Sequence, residues 1–163
     1  MILRRYPMVF GVESVNLGGF TEVINPSAVD RALRDQADVV ALKNHNADHV
    51  LGRVSAGTLR LTKETRGLLT EIDLDPGISY AADLMKLNER RDAPGGSFGF
   101  IALEDIWTFD QALPRREVLD MVLKEISVGV AFPAYLQTQR DTRALTVTLA
   151  ERMTRQRRLM ESL

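Results

Sequence analysis

Leu59-Arg-Leu-Thr-Lys-Glu-Thr-Arg-Gly-Leu-Leu-Thr-Glu-Ile-Asp-Leu74 is the stretch on which the fold class turns. Leu59 and Leu61 alternate with polar neighbours, as do Leu68, Ile72 and Leu74, with Thr62-Lys-Glu-Thr-Arg-Gly67 between the two sets. Period-two alternation puts one row of side chains on one face of a strand, so two rows around a polar connection predict an antiparallel hairpin.

Outward from this hairpin the chain reads as further short strands with a few helices. Tyr6-Pro-Met-Val-Phe-Gly-Val is strand-like and Val39-Val-Ala-Leu has the character of a buried strand. Between them, Pro26 and the apolar returns at Ala28, Val29, Ala32 and Leu33 predict a helix over about residues 26–35. Asp75-Pro76 reads as a cap and first turn, and Ile78, Ala81, Ala82 and Met85 extend a second helix over about 77–90. Ser97-Phe-Gly-Phe-Ile-Ala-Leu, Ile106-Trp-Thr-Phe, Val118 to Val122 and Ile126 to Phe132 predict four more strands, with Phe98, Phe100, Trp107 and Phe109 as strand-packing core. From about 143 onward the sequence is helix-prone and rich in arginine, with Arg152, Arg155, Arg157 and Arg158 close together. The expected organisation is therefore one mainly β (α+β) domain over 1–140 and a basic tail over 141–163.

Composition removes whole classes of function. The chain has no cysteine, which excludes disulfides, thiolate metal sites and a cysteine nucleophile. Lysine plus arginine, 21, nearly equals aspartate plus glutamate, 22, so no global field points to nucleic acid or to a membrane surface. No apolar run approaches the roughly 20 residues that span a bilayer, and Met1-Ile-Leu-Arg-Arg does not read as a signal peptide, so a cytoplasmic protein is expected.

Few residues are equipped for chemistry. The only two histidines, His45 and His49, share the polar segment Lys43-Asn-His-Asn-Ala-Asp-His, so a histidine base must be one of these two. A metal site built on both is the competing reading, though the turn formers and the strand that follows are unlike a ligand-presenting helix. Ser97 follows Gly95-Gly96 at the start of a strand, where glycine permits close backbone approach to a substrate. Serines beside glycines are mostly turn residues, so locally a turn outweighs a nucleophile. Glu125 has the strand parity of Ser127, opposite to Ile126, Val128 and Val130, and by itself reads as an exposed strand carboxylate.

In their order along the chain these segments resemble one family, the prohead proteases of tailed bacteriophages, over about 10–140. The blocks are Leu17-Gly-Gly-Phe-Thr-Glu-Val-Ile with Pro26-Ser-Ala-Val, Asn44-His-Asn through Leu51-Gly-Arg and Gly57-Thr-Leu-Arg-Leu, Gly96-Ser-Phe-Gly-Phe, and Leu123-Lys-Glu-Ile-Ser-Val with Phe132-Pro-Ala-Tyr. His45 lies seven residues before Gly52, the spacing of the family's catalytic histidine, so the resemblance implies His45 rather than His49. It likewise implies Ser97 as nucleophile and Glu125 as the third member of a Ser-His-Glu triad. The implied fold is herpesvirus-protease-like, a compact antiparallel β-barrel with flanking helices. The implied activity is a serine endopeptidase that needs no cofactor or metal. Its substrates would be scaffold or capsid protein, and the protease itself, inside the procapsid in the host cytoplasm, with self-association possible and no nucleic-acid or membrane partner. The alternative from another class is a catalytically silent assembly module that binds scaffold or capsid chains.

Overall fold

A computed structural model gives the architecture of the chain and describes residues 1–139. Eight strands and two helices follow in the order β1 (Ile2–Val9), β2 (Thr21–Ile24), α1 (Asp30–Arg34), β3 (Val40–Lys43), β4 (Asn46–Arg53), β5 (Leu59–Lys63), β6 (Gly67–Asp73), α2 (Ser79–Arg90), β7 (Gly95–Thr108) and β8 (Arg115–Val130). The expected basic tail over 141–163 lies outside the described residues.

The hairpin forms as the alternation requires. Leu59 stands opposite Ile72 and Leu61 opposite Thr70, and β1 adds to the other edge of β6 with Leu3 opposite Ile72. Leu3, Leu59, Leu68 and Ile72 form the buried row. The register of β1 slips between Arg5 and Met8, around Pro7, which has no N–H to give to a ladder.

The second sheet has the order β2-β8-β3-β4, with β7 pairing β8 along its whole length. On its other edge β8 takes two short parallel partners, β2 at Arg115 to Val118 and β3 at Glu125 to Val128. Four expected strands are thus two long ones. Register shifts between Ala102 and Asp105 break the alternation of β7 at Glu104, which is why the sequence reads there as two pieces. Phe98 is buried, but Trp107 and Phe109 are 40% and 73% exposed, so the aromatics at the far end are not core as expected.

The strands do not close into the expected barrel; they form two open sheets. At the seam between β1 and β2 the chain makes only scattered contacts: Gly11 N–H donates to Ile24 O at 3.0 Å, Ser14 N–H to Glu22 O at 2.9 Å, and Glu13 bridges Val23. Closure would need a continuous ladder there, and the irregular segment 11–20, turned by Gly18 and Gly19 at positive φ, does not provide one.

The first expected helix is a 3-10 turn, Pro26–Val29, running into the five-residue α1, with the Asn25 side chain accepting from Ser27 N–H. In place of the expected cap, Asp75 Oδ1 accepts from Gly77 N–H at 2.8 Å in a local turn, and α2 begins at Ser79. Ala81 and Leu84 bury one face of α2, and the methyl of Leu84 fills the space that a side chain at Gly129 of β8 would need.

Candidate active site

The β3–β4 connection places the first candidate side chain, His45. Lys43 pairs Asn46, and the two residues between them, Asn44 and His45, have φ of 49° and 60°. Two successive left-handed residues make the tight turn that matches strand twist, and asparagine and histidine tolerate that region better than most residues. The turn is tied to β8 at both positions: Asn44 N–H donates to Val128 O at 3.0 Å and His45 N–H to Ser127 Oγ at 2.9 Å. It continues the parallel β3–β8 ladder, and so the half-exposed His45 is carried over β8.

Glu125 meets it there. Its Oε1 lies 2.5 Å from His45 Nδ1, and its Oε2 accepts from Ser127 Oγ at 2.8 Å. The carboxylate side chain is 15% exposed and the imidazole 44%. The room for Glu125 comes from Gly99, its partner across the β7–β8 ladder. A Cβ on residue 99 would sit 2.8 Å from Glu125 Oε1, closer than non-bonded atoms approach.

Ser97 lies two residues earlier on β7, opposite Ser127. Directly paired residues share a face, so Ser97, Gly99, Ser127 and Glu125 occupy one patch of the sheet. Its start is held from behind by Thr138 Oγ1, which accepts from Gly96 N–H at 3.2 Å. Among the described residues the Ser97 hydroxyl makes no hydrogen bond, to the imidazole or to any other group. The fold therefore joins His45 to Glu125 directly and brings Ser97 to the same patch without closing the third contact; apo sites are often loose at this contact.

The competing residues are engaged elsewhere. Glu117 accepts from Asn25 Nδ2 at 2.9 Å. Asp120 takes Arg31 Nε at 3.1 Å, and the hydrogen bond from that guanidinium holds its carboxyl below the usual carboxylate range. His49 stacks on Tyr80 at 4.7 Å with its Nδ1 3.3 Å from Asn46 Nδ2, so the two imidazoles serve different contacts. Among the described residues no three histidine, aspartate or glutamate side chains group as a metal site, and no helix is long and apolar enough to cross a membrane.

Sequence reasoning missed Ser127 and Gly99. The parity of Glu125 and Ser127 was legible, but a strand serine carries no signal of its own, and Gly99 is a pairing consequence invisible without register.

Chemically, an imidazole whose Nδ1 faces a carboxylate leaves Nε2 to take up and return a proton, and a serine hydroxyl lies on the same face of the sheet, on the strand beyond β8. That equipment is of the hydrolase class. Residues 1–153 match the family described as caudovirus prohead serine protease, and the chain belongs to that family. A protease role in capsid maturation follows from the membership. No curated protein and no solved structure matches the chain.

Proposed function

We propose that the chain is a serine endopeptidase with Ser97 as nucleophile, His45 as general base and Glu125 as the acid that orients the imidazole. The observation that carries the reading is the 2.5 Å contact of His45 Nδ1 with Glu125, made on the face that also bears Ser97. His45 Nε2 removes the proton of Ser97 Oγ as the oxygen bonds to the peptide carbonyl carbon. The tetrahedral intermediate collapses as the same nitrogen protonates the leaving amine. Water, deprotonated by His45, then hydrolyses the acyl-enzyme. Glu125 keeps Nδ1 protonated and faces the imidazolium that forms.

Scaffold or capsid polypeptide within the procapsid is the proposed substrate, together with the chain itself. The proposed catalytic unit is 1–140, with 141–163 dispensable for the chemistry. The assembly-module alternative is favoured by one observation, the unpartnered Ser97 hydroxyl among the described residues.

A fluorophosphonate probe separates the two. The protein should gain one label on Ser97, and Ser97→Ala should lose both label and cleavage of a co-expressed scaffold or capsid substrate while staying folded. His45→Ala should be comparably damaged and His49→Ala should not. Processing by Ser97→Ala at the wild-type rate would remove the assignment, and no labelling of the wild type would favour the silent module.

A further inference from the structure

Among the described residues the hydroxyl of Ser127 is the one polar group that touches both halves of the His45–Glu125 pair. It is completely buried, on a strand whose neighbours Ile126 and Val128 are core residues, in a position that an apolar side chain would ordinarily fill. Its oxygen accepts the His45 backbone N–H at 2.9 Å and its proton goes to Glu125 Oε2 at 2.8 Å, so the hydroxyl's single proton and one of its two lone pairs are spent on the site. Full burial keeps it from substrate, and it is no second nucleophile.

We propose that Ser127 is a positioning residue that couples the left-handed turn bearing His45 to the Glu125 carboxylate and so fixes the imidazole toward Ser97. The inference rests on the triad reading above. A carboxylate held by one oxygen can rotate about its terminal torsion; here Oε1 faces Nδ1 while Oε2 is tied down by Ser127. The turn is also constrained by its own chemistry. His45 sits at φ 60°, a region that histidine tolerates but populates sparsely, and the Ser127 oxygen satisfies its N–H there. One hydroxyl therefore links the His45 end of the turn, whose other residue is held by Val128 O, to the plane of the carboxylate. Supporting residues of this kind, which orient groups that do the chemistry, typically matter by 10–100-fold.

The test uses the full chain and the fluorophosphonate probe, reading labelling rate and labelling endpoint separately. Ser127→Ala should label more slowly by roughly 10–100-fold yet reach the same one-label endpoint, with kcat on a peptide substrate falling and KM unchanged. A role confined to holding the fold would instead lower the endpoint at an unchanged rate, which would overturn the proposal. Ser127→Thr, which keeps the hydroxyl, should recover most of the rate, and the downfield proton resonance of the His45 Nδ1–H should be present in wild type and Thr variant and lost to exchange in the Ala variant.

Should Ser127→Ala not fold, Ser127→Cys preserves the shape with a weak donor and is expected to label slowly at full endpoint; labelling at the wild-type rate overturns the proposal. Glu125→Gln distinguishes the two levels of failure. If it is slowed while Ser127→Ala is not, the positioning role alone falls; if neither is slowed, the role of Glu125 falls with it.

Discussion

The two ends of the β7–β8 hairpin are made of the same two strands and behave as different materials. At the site end, Gly95 to Gly99 face Glu125 to Val130, β3 lies against the other edge of β8, and the Leu136–Gln139 turn backs the start of β7 through Thr138. At the far end β7 exposes Ile101, Leu103 and Ile106, with Phe109 exposed just beyond it, although β8 keeps four pairs with β2 on its outer edge, as many as β3 makes at the site end. The lesson concerns precision. A site that must hold a carboxylate and an imidazole within a fraction of an ångström is built where the paired strands are also backed from behind and where glycines bring backbones close.

The largest expected effect tests the carboxylate itself. Glu125→Gln should lower turnover by on the order of 10²–10⁴ while slow labelling of Ser97 survives, since a tautomer-setting acid leaves nucleophile and donors in place. Full activity in that variant, with a large loss in Glu117→Gln, would move the role toward the β2 end of β8, where Glu117 now pairs Asn25.

Gly99→Ala and Gly96→Ala sharpen the comparison within the site end. The added methyl at 99 meets the flexible end of Glu125, at 2.8 Å from Oε1, so the carboxylate moves and the fold does not. Turnover should drop on the order of 10²-fold, with a melting curve close to wild type. At 96 the methyl would lie 2.5 Å from the Cα of Pro7, which cannot yield without shifting β1. That variant should lose about 1–3 kcal/mol of stability in denaturant titration. Equal effects of the two on stability would mean that Gly99 also separates backbones.

The smallest effect lies at the far end, in Asp120→Asn. Turnover should be unchanged, because Asp120 serves Arg31 rather than an imidazole. The Arg31 hydrogen bond lowers the folded-state pKa of Asp120, so the pair stabilises above the ordinary carboxylate pKa and that contribution is lost as pH falls through the folded value. Thermal melts of wild type and variant should therefore converge in acid and separate slightly near neutrality. A difference that grows on acidification would contradict the sign.

Much of the frame was readable because its signals are local. Alternation in Leu59–Lys63 and Gly67–Asp73 needs no partner to be seen, and α2 shows in the spacing of Ile78, Ala81, Ala82 and Met85. The reading failed where pairing overrides alternation. Bulges near Glu104 cut one strand into two apparent ones, and the seam between β1 and β2 left two open sheets where a barrel was expected. The far-end aromatics were misassigned to the core for a related reason: strand preference favours Trp107 and Phe109 whether or not anything covers the strand.

For the site, the sequence by itself determined the short list: two histidines, no cysteine, a serine after two glycines, and a glutamate sharing strand parity with Ser127. Only the tertiary structure decided which of them meet. His45 reaches Glu125 across 80 residues of chain because the left-handed turn from β3 into β4 stays hydrogen-bonded to β8 at Ser127 and Val128, and Ser97 joins their face because β7 pairs β8 in the register that sets it opposite Ser127. Register is a property of two strands at once, and a slip of one residue would turn each side chain to the other face, so no reading of either strand alone contains it.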